Sequence, residues 1–307
     1  MADIEGSKKS VSPLVLKVEK MRKEAKERRQ KEGIVEAEEV QKNQPQKPAP
    51  AAVTHLVWPE AARGVPNIAL RSALFGVLKK KKTGSRLAFH RKEILSQNGI
   101  RIFYTGIQLD QGDLDVWEAV LHIARIQPFG NKCHLTAYQL LKMLGKTDSG
   151  DNRKILDLRL SRMNATAVDV KVGTRSYEGS LIDEVYREEI SREYVIRLNP
   201  KLSTLFAPDQ FTLIDWSIRQ WLSGQQLAQW LHGYYSSHDK PFPVKISTLL
   251  ELSGSENATP YSSKQKLRKA LDALAAAYKT SGQTFSYEIK DDLVFVNNSG
   301  NLLPPEA

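Results

Sequence analysis

One order of elements occurs twice along this chain of 307 residues. The apolar spacing predicts a helix over about residues 111–126, a short helix after Thr136, and a third helix over 152–163 that alternating strands follow. The same order of helix, short helix, long helix and hairpin returns within residues 216–296. This is the order of a winged helix, a helix-turn-helix unit closed by a hairpin. The expected fold class is therefore α+β, with two tandem winged-helix domains.

Turn and capping residues mark the ends of elements in both copies. Asn98-Gly99, between two apolar runs, predicts a β-hairpin at the start of the folded part. Thr136 is placed to cap the short helix of the first copy, and Gly145 to close it. In the first copy, a cap is expected at Asp148 or Ser149, and strands near 168–172, 176–182 and 193–198. In the second copy, helices are expected over 216–221, 225–235 and 248–252, the last capped by Ser247. A long helix from Ser262 or Ser263 to Tyr278 and a hairpin over 284–296 follow.

Composition divides the chain into an arm, a linker and two domains. Residues 1–55 mix both charge signs with Gln, Pro and Ala and have few apolar positions, which predicts a disordered charged arm. Residues 56–85 are expected to form a linker with a short partner-docking motif and a lysine run. The first winged-helix domain is expected over 86–205, and the second, which reads DNA, over 206–299.

Charge and cysteine content narrow the class of partner. Lys and Arg number 45 against 35 Asp and Glu, and the net charge of +10 makes a polyanion such as nucleic acid the leading partner. The single cysteine, Cys133, cannot form an intramolecular disulfide, which fits a reducing compartment. The N-terminus resembles no signal peptide, and no apolar run has the length of a membrane span. We therefore expect a cytoplasmic protein with no membrane partner.

The long helix of the second copy, which ends at Tyr278, has the side chains that major-groove recognition needs. Its cations and its glutamine lie opposite an apolar stripe of Leu267, Leu271 and Leu274. Arg and Gln are suited to bidentate contact with guanine and adenine, and Lys to contact with phosphates. An ordinary solvated helix is the alternative, but these cations lie in the first turns of the helix, between a short capped helix and a hairpin. The predicted DNA-binding residues are Ser262, Ser263, Lys264, Gln265, Arg268 and Lys269.

The corresponding helix of the first copy is less one-sided in charge. Its predicted DNA-binding residues are Arg153, Lys154, Arg159 and Arg162. Because Asp151 and Asp157 lie among them, contact with the DNA backbone is favoured over base recognition. The sequence leaves open whether this helix contacts DNA at all.

Three enzymatic interpretations fail on spacing. Gly145-Lys146-Thr147 resembles the end of a phosphate-binding loop, but Leu140 stands where that loop needs glycine, and the segment closes a helix instead of opening one. No two histidines have the spacing of a metal-dependent nickase. Cys133 and His134 are adjacent in a predicted strand and so point to opposite faces. We predict no catalytic residue, no metal site and no cofactor.

Nearly the whole chain resembles one known family. The resemblance is carried by Leu56-Val-Trp-Pro-Glu-Ala, by Val65-Pro-Asn-Ile-Ala-Leu-Arg-Ser-Ala-Leu-Phe-Gly-Val77, by Thr105-Gly-Ile-Gln-Leu-Asp-Gln-Gly-Asp-Leu-Asp-Val-Trp117, and by the C-terminal helix and hairpin. These segments are similar to the TrfA family, the iteron-binding replication initiators of broad-host-range IncP plasmids.

The resemblance implies a function and a set of partners. Members bind short direct repeats of the plasmid origin, the iterons, through winged-helix domains. They help open the neighbouring A+T-rich element, contact its single strands, and recruit the host initiator DnaA, the replicative helicase and the polymerase sliding clamp. The resemblance also implies homodimers as the storage form, active monomers, and control of plasmid copy number in the bacterial cytoplasm.

One segment of the predicted linker suggests the clamp contact. Clamp-binding peptides end in a Leu-Phe pair, and Arg71-Ser-Ala-Leu74-Phe75 has this pair without the usual preceding Gln. Leu70, Leu74 and Phe75 are therefore the candidate clamp-binding residues, if they are exposed outside both cores. The alternative, that they pack on the first winged helix, remains open. The lysines at 79–82 suit phosphates of nearby DNA, or keep the segment soluble.

The predicted function is that of a non-enzymatic, sequence-specific DNA-binding initiator. A winged-helix transcriptional regulator without a replication role is the alternative function. Such a regulator would share the two DNA-binding helices, but it would not need Leu74 and Phe75.

Overall fold

A computed structural model describes residues 58–78, 86–97, 99–126, 130–173, 175–188, 190, 193–255 and 259–298. All of them lie in one compact unit, Thr54–Ala307. The predicted arm, 1–55, and residues 56–57 and 79–85 of the predicted linker lie outside the described residues. None of the helices in this part of the chain combines the length and apolar character that crossing a membrane requires.

The described residues form a mixed α and β structure with two hydrophobic cores, which define two lobes. The N-terminal lobe holds the larger core. Its elements are β1 (Ala62–Pro66), α1 (Asn67–Leu70), β2 (Phe75–Gly76), β3 (Ala88–Ile94), β4 (Arg101–Ile107), β5 (Leu109–Asp110), α2 (Gln111–Ala124), β6 (Lys132–Thr136), α3 (Ala137–Met143), α4 (Gly150–Asn164), β7 (Ala167–Val172), β8 (Arg175–Gly179), β9 (Glu184–Glu188), β10 (Glu193–Arg197), a 3-10 helix (Pro200–Phe206) and β11 (Phe211–Asp215).

The C-terminal lobe is smaller and is built around a long helix. Its elements are α5 (Trp216–Trp221), α6 (Gln226–Ser236), β12 (Val244–Lys245), α7 (Ile246–Leu252), α8 (Pro260–Thr280), β13 (Phe285–Lys290) and β14 (Leu293–Asn298). The two lobes share a strand arrangement. In each, a short strand before the short helix pairs with the last strand of the hairpin, giving the orders β6-β10-β9 and β12-β14-β13.

The predicted hairpin at Asn98-Gly99 is confirmed, although Asn98 itself lies outside the described residues. β3 and β4 pair antiparallel, with Ile94 opposite Ile102. Gly99 has φ +71°, a conformation that glycine adopts without steric cost. The hairpin opens a four-stranded sheet in the order β3-β4-β7-β8.

The strands after α4 divide between two sheets. β7 and β8 extend the β3-β4 sheet, because Val168 and Val170 alternate inward and lie opposite Tyr104 and Ile102 on β4. The hairpin that packs beside α4 is β9-β10. The sequence pattern does not predict β9, since the residues of Glu184–Glu188 are mostly charged.

Side-chain caps set the helix starts. Thr136 Oγ1 accepts a hydrogen bond from the Gln139 amide at 3.1 Å, which confirms the predicted cap of α3. Ser149 caps α4 in the same way. α8 begins before the predicted Ser262 or Ser263, because Thr259 supplies the cap and a proline occupies the first helical position. Ser247 is not a cap, since α7 already begins at Ile246.

The predicted linker over 56–85 is wrong for its described part, residues 58–78. β1 pairs antiparallel with β11, with Val65 opposite Thr212. Trp58 is buried, with its ring stacked at 6.1 Å from the ring of Phe206. Most of this segment therefore belongs to the N-terminal lobe, whose core is completed by residues nearly 150 positions later in the chain, while Val77 reaches the C-terminal core.

Candidate nucleic-acid interface

Helix α8 is the element on which most of the predicted DNA-binding residues lie. Leu267, Leu271 and Leu274 have no exposed surface and anchor one face of the helix in the C-terminal core. Residues three and four positions apart share a face of a helix, so the opposite face must point outward. The leucine stripe therefore determines which side chains of α8 reach the solvent.

The structure exposes three of the six predicted residues of α8. Gln265, Arg268 and Lys269 are exposed, while Ser262 and Lys264 are half-buried at the edge of this face. Ser263 is 8% exposed and lies on the core side of the helix, which removes it from the candidate interface. The structure does not place Ser263 for the predicted DNA contact, because helical spacing puts it on the buried face, four residues before Leu267.

The cations of this face keep much of their capacity for new contacts. Among the described residues, no carboxylate forms an ion pair with Arg268 or Lys269. The ammonium of Lys264 donates to the backbone carbonyl of Asp291 at a long 3.4 Å. Lys266 lies at the edge of the helix and donates to the Ser255 hydroxyl. Arg268 and Lys269 are therefore free to meet an external polyanion.

The carboxylate of Asp272, the acidic residue within α8, is occupied by the neighbouring hairpin. It accepts a hydrogen bond from the Tyr287 hydroxyl at 2.5 Å. Burial and this hydrogen bond raise the pKa of Tyr287 to about 12, so the phenol keeps its proton and continues to donate. The carboxylate is thereby directed toward β13 and away from the first turns of the helix.

The hairpin beside α8 is mixed in charge. Lys290 forms an ion pair with Glu288 at 2.9 Å. The turn of the hairpin, Asp291-Asp292, is acidic. The positive charge of the C-terminal lobe is therefore concentrated on α8.

The arginines predicted on α4 have a different role from those of α8. Arg159 lies 3.1 Å from Asp110, and Arg162 forms an ion pair with Asp113. Arg86 joins both carboxylates, at 2.6 Å from Asp110. Although burial opposes it, the charges of Arg159 and Arg86 lower the pKa of Asp110. These arginines neutralise carboxylates that would otherwise be buried unpaired.

Three of the four side chains predicted to contact DNA from α4 are therefore paired within the protein. Arg159 and Arg162 point inward to α2, because Asp110 and Asp113 form the capping box of that helix. Arg153 is held by both oxygens of Asp148, at 2.5 and 2.6 Å. Lys154 is exposed, as predicted for a phosphate contact. Its exposed neighbours on α4 include Ile155 and Leu158, which are apolar.

Leu70, Leu74 and Phe75 are buried, with exposures of 2%, 2% and 0%. The rings of Phe75 and Trp117 stack with centroids 5.6 Å apart. A methyl carbon of Leu70 lies 2.7 Å from the point where a Cβ on Gly233 would stand. The exposure that clamp docking would require is not found, and the alternative left open by the sequence, packing inside the folded part, is the arrangement found. Burying each of these side chains stabilises the folded state by about 1.5–3 kcal/mol relative to leaving it in water. The buried arrangement is therefore favoured over an exposed one.

A buried ionic cluster between the lobes was missed by the sequence patterns. Arg219 is 1% exposed, and its guanidinium lies 2.8 Å from Asp115 and 3.6 Å from Glu118. Burial raises the pKa of Glu118 to about 8, against the opposing charge of Arg219. Gln111 and Gln229 complete the cluster by accepting from Arg219. The sequence signal that could have indicated this cluster is the set of polar residues at positions 111, 115 and 118, which lie on the inner face of α2.

The segment Gly145-Lys146-Thr147 lies where the chain leaves α3. Gly145 has φ +64° and follows the helix, as predicted for a residue that closes it. The ammonium of Lys146 donates to the Ser223 hydroxyl at 3.0 Å. The segment therefore joins the two lobes and has the local geometry of a helix end.

Comparisons with known proteins agree with the predicted family. A family model described as TrfA protein matches residues 23–298. The plasmid replication initiator protein TrfA of Escherichia coli is 31% identical over 248 residues, which are 77% of this chain and 62% of the relative. The chain thus spans about 62% of the length of the curated relative it matches.

Solved structures also align with parts of the chain, with TM-scores below 0.5. Domains 2 and 3 of RctB, in their selenomethionine form, align with a TM-score of 0.47 and 17% identity, over 69% of this chain and 90% of that one. A Pi initiator protein crystallised in complex with iteron DNA aligns with a TM-score of 0.42 and 13% identity, over 61% of this chain and 92% of that one.

Proposed function

Because this chain belongs to the TrfA family, we propose that it is a plasmid replication initiator that binds the iterons of its origin through helix α8. The exposed face of α8 is the observation that carries this proposal. It presents Gln265, Arg268 and Lys269 to solvent, and no carboxylate of the described residues forms an ion pair with either cation. A polyanion with accessible base edges uses both the charge and the forked donors of this face.

Each lobe is proposed to be a winged-helix domain. Support comes from the shared order of elements and from the shared strand orders β6-β10-β9 and β12-β14-β13. In this arrangement α4 and α8 are the helices placed to meet DNA. α8 would read bases, whereas α4 would contact the backbone through Lys154, since its other predicted cations are paired.

The proposed partners follow the family. They are double-stranded iteron DNA, the single strands of an A+T-rich origin element, DnaA, the replicative helicase, the sliding clamp and a second copy of the chain. A clamp contact through Leu74 and Phe75 is incompatible with their buried positions, so clamp docking would use another surface. The proposed protein is non-enzymatic, needs no cofactor, and acts in the bacterial cytoplasm.

Binding and replication assays together test this function. The full chain is titrated onto a labelled duplex carrying the repeats of its own plasmid origin, and onto a shuffled duplex of the same length. We expect affinity for the repeats to exceed that for the shuffled duplex by a factor of about 10³ or more at physiological salt. Equal affinities would contradict iteron recognition.

A replication assay separates the initiator from a transcriptional regulator. A plasmid carrying only the origin is placed in cells that supply the chain from the chromosome. We expect the plasmid to be maintained with the wild-type chain and lost without it. Binding to the repeats without any support of plasmid maintenance would favour the regulator.

A further inference from the structure

Tyr261 is an exposed aromatic residue in the first turn of α8. Its side chain is 73% exposed, although burial of an aromatic ring normally stabilises a fold. Its hydroxyl oxygen accepts a hydrogen bond from Gln265 Nε2 at 2.8 Å. Residues four positions apart on a helix are neighbours, so Tyr261, Gln265 and the later Arg268 follow one another along the exposed face. The first turns of such a helix reach the base edges.

We propose that Tyr261 positions the amide of Gln265 so that this side chain recognises adenine in preference to guanine. The inference rests on the proposed function, since it assumes that α8 enters the major groove. It adds a positioning residue that was not among the predicted DNA contacts, and it names the base that Gln265 reads.

The hydrogen bond determines which amide atoms remain for the base. A glutamine amide has one acceptor oxygen and two N–H donors. When the N–H that points away from Oε1 is the one that donates to Tyr261, Oε1 and the second N–H remain side by side for the base. This pair matches adenine, whose N6 amino group donates and whose N7 accepts. Guanine presents two acceptors, N7 and O6, at the same edge. A Gln265 amide held in this orientation would place its acceptor Oε1 against the acceptor O6, with no hydrogen available to bond the two oxygens.

Contact with DNA would keep the amide in this orientation. A phenol can donate as well as accept, so Tyr261 alone would also tolerate a flipped amide. Close to DNA, phosphate oxygens are abundant acceptors, and the exposed Tyr261 O–H can donate to one of them. The hydroxyl oxygen then accepts from Gln265, which requires Nε2, and not Oε1, on that side.

Tyr261→Phe is the decisive variant, because it keeps the ring and removes only the hydroxyl. Binding of the full chain is measured on the repeat duplex and on duplexes in which each adenine in turn is replaced by guanine. For the wild-type chain, we expect replacement of one particular adenine by guanine to lower the affinity. Tyr261→Phe is expected to reduce this ratio of affinities, adenine duplex over guanine duplex, by about 2- to 12-fold, the effect of one neutral hydrogen bond. Gln265→Ala should remove the preference at the same position.

The double variant supplies the control for indirect effects. If Tyr261 acts through Gln265, Tyr261→Phe has no further effect on the adenine preference once Gln265→Ala is present. An unchanged preference in Tyr261→Phe overturns the proposal, and so does an equal loss on all duplexes, which would show a phosphate contact alone. A wild-type chain that does not distinguish the repeats from shuffled DNA would contradict the proposed function itself, a separate outcome.

Discussion

Arg159 and Arg268 show how neighbours determine the role of one residue type. Both arginines lie on the long helix that follows the short helix of a lobe, Arg159 on α4 and Arg268 on α8. Arg159 faces Asp110 and Asp113, which are buried, whereas Arg268 faces solvent and has no carboxylate partner among the described residues. A guanidinium that neutralises a buried carboxylate cannot leave it without a large cost. Arg268 is therefore the arginine of the two that is free to bind DNA.

Replacing Arg268 should weaken specific binding and relax specificity. Arg268→Ala removes forked donors suited to guanine, so we expect a loss of ~1–3 kcal/mol on the repeats and less discrimination at one base pair. Titrations onto repeat and shuffled duplexes measure both effects. Lys279→Ala, an exposed cation in the last turn of the same helix, is the matched control. An equal shift on both duplexes would contradict base recognition by Arg268.

Replacing Lys264 should have a different effect. Its ammonium lies at the edge of the exposed face, where it suits a phosphate. We expect Lys264→Ala to weaken binding to all duplexes alike and to lower the salt slope of binding by about 1. The measurement is affinity against salt concentration for both duplexes. A loss confined to the repeats would instead show that Lys264 reads a base.

At the scale of elements, α4 and α8 occupy equivalent places and present different surfaces. α4 holds its arginines inward or in a pair with Asp148, and it exposes Ile155 and Leu158 at 48% and 62%. α8 holds its leucines inward and exposes its cations. In the proposed complex with DNA, the C-terminal lobe would therefore supply most of the charge.

The cap of α8 should matter both for stability and for binding. Thr259 Oγ1 accepts from the Ser262 amide, in the turn that also carries Tyr261. We expect Thr259→Ala to lower the free energy of unfolding by ~0.5–2 kcal/mol, because a helix-terminal amide loses its partner. Chemical denaturation measures this change. Ser247→Ala is the control, since that exposed serine caps no helix, and a similar loss in both variants would contradict the capping role.

At the scale of the whole molecule, the segment from Trp58 to Val77 connects both cores. Trp58, Leu70 and Phe75 belong to the N-terminal core, whereas Val77 belongs to the C-terminal core. Trp230 of α6 also donates to the backbone of Ser72 at 3.1 Å. Mutations in this segment therefore act on the fold before they act on any partner.

Phe75→Ala should destabilise the whole structure. Removing a fully buried phenylalanine leaves a cavity against Trp117, and we expect a loss of ~3–5 kcal/mol in the free energy of unfolding. Phe242→Ala is the control, because that ring is 85% exposed and its removal should change stability by less than about 0.5 kcal/mol. Equal, small effects in both variants would show that Phe75 is exposed in solution.

The ionic cluster between the lobes should make stability depend on pH. The pKa of Glu118 is raised to about 8 by burial, so the folded state binds a proton more tightly than the unfolded state does. This stabilisation is fully present at low pH and is lost as the pH rises toward about 8. Glu118→Gln keeps the shape without the ionisation, so we expect its stability to fall less than that of the wild type between pH 6 and pH 8. Parallel curves would contradict a raised pKa.

The sequence by itself determined the helices from α2 to α8, the caps at Thr136 and Ser149, and the outward face of α8. These features depend on residues within a few positions of one another, where helical period and capping geometry act. Only the tertiary structure decided that Arg159 and Arg162 face buried carboxylates, that Leu70, Leu74 and Phe75 fill a core, and that β7 and β8 join the β3-β4 sheet. Each of these depends on a partner distant in the chain, and local pattern holds no information about which distant residue will pack there.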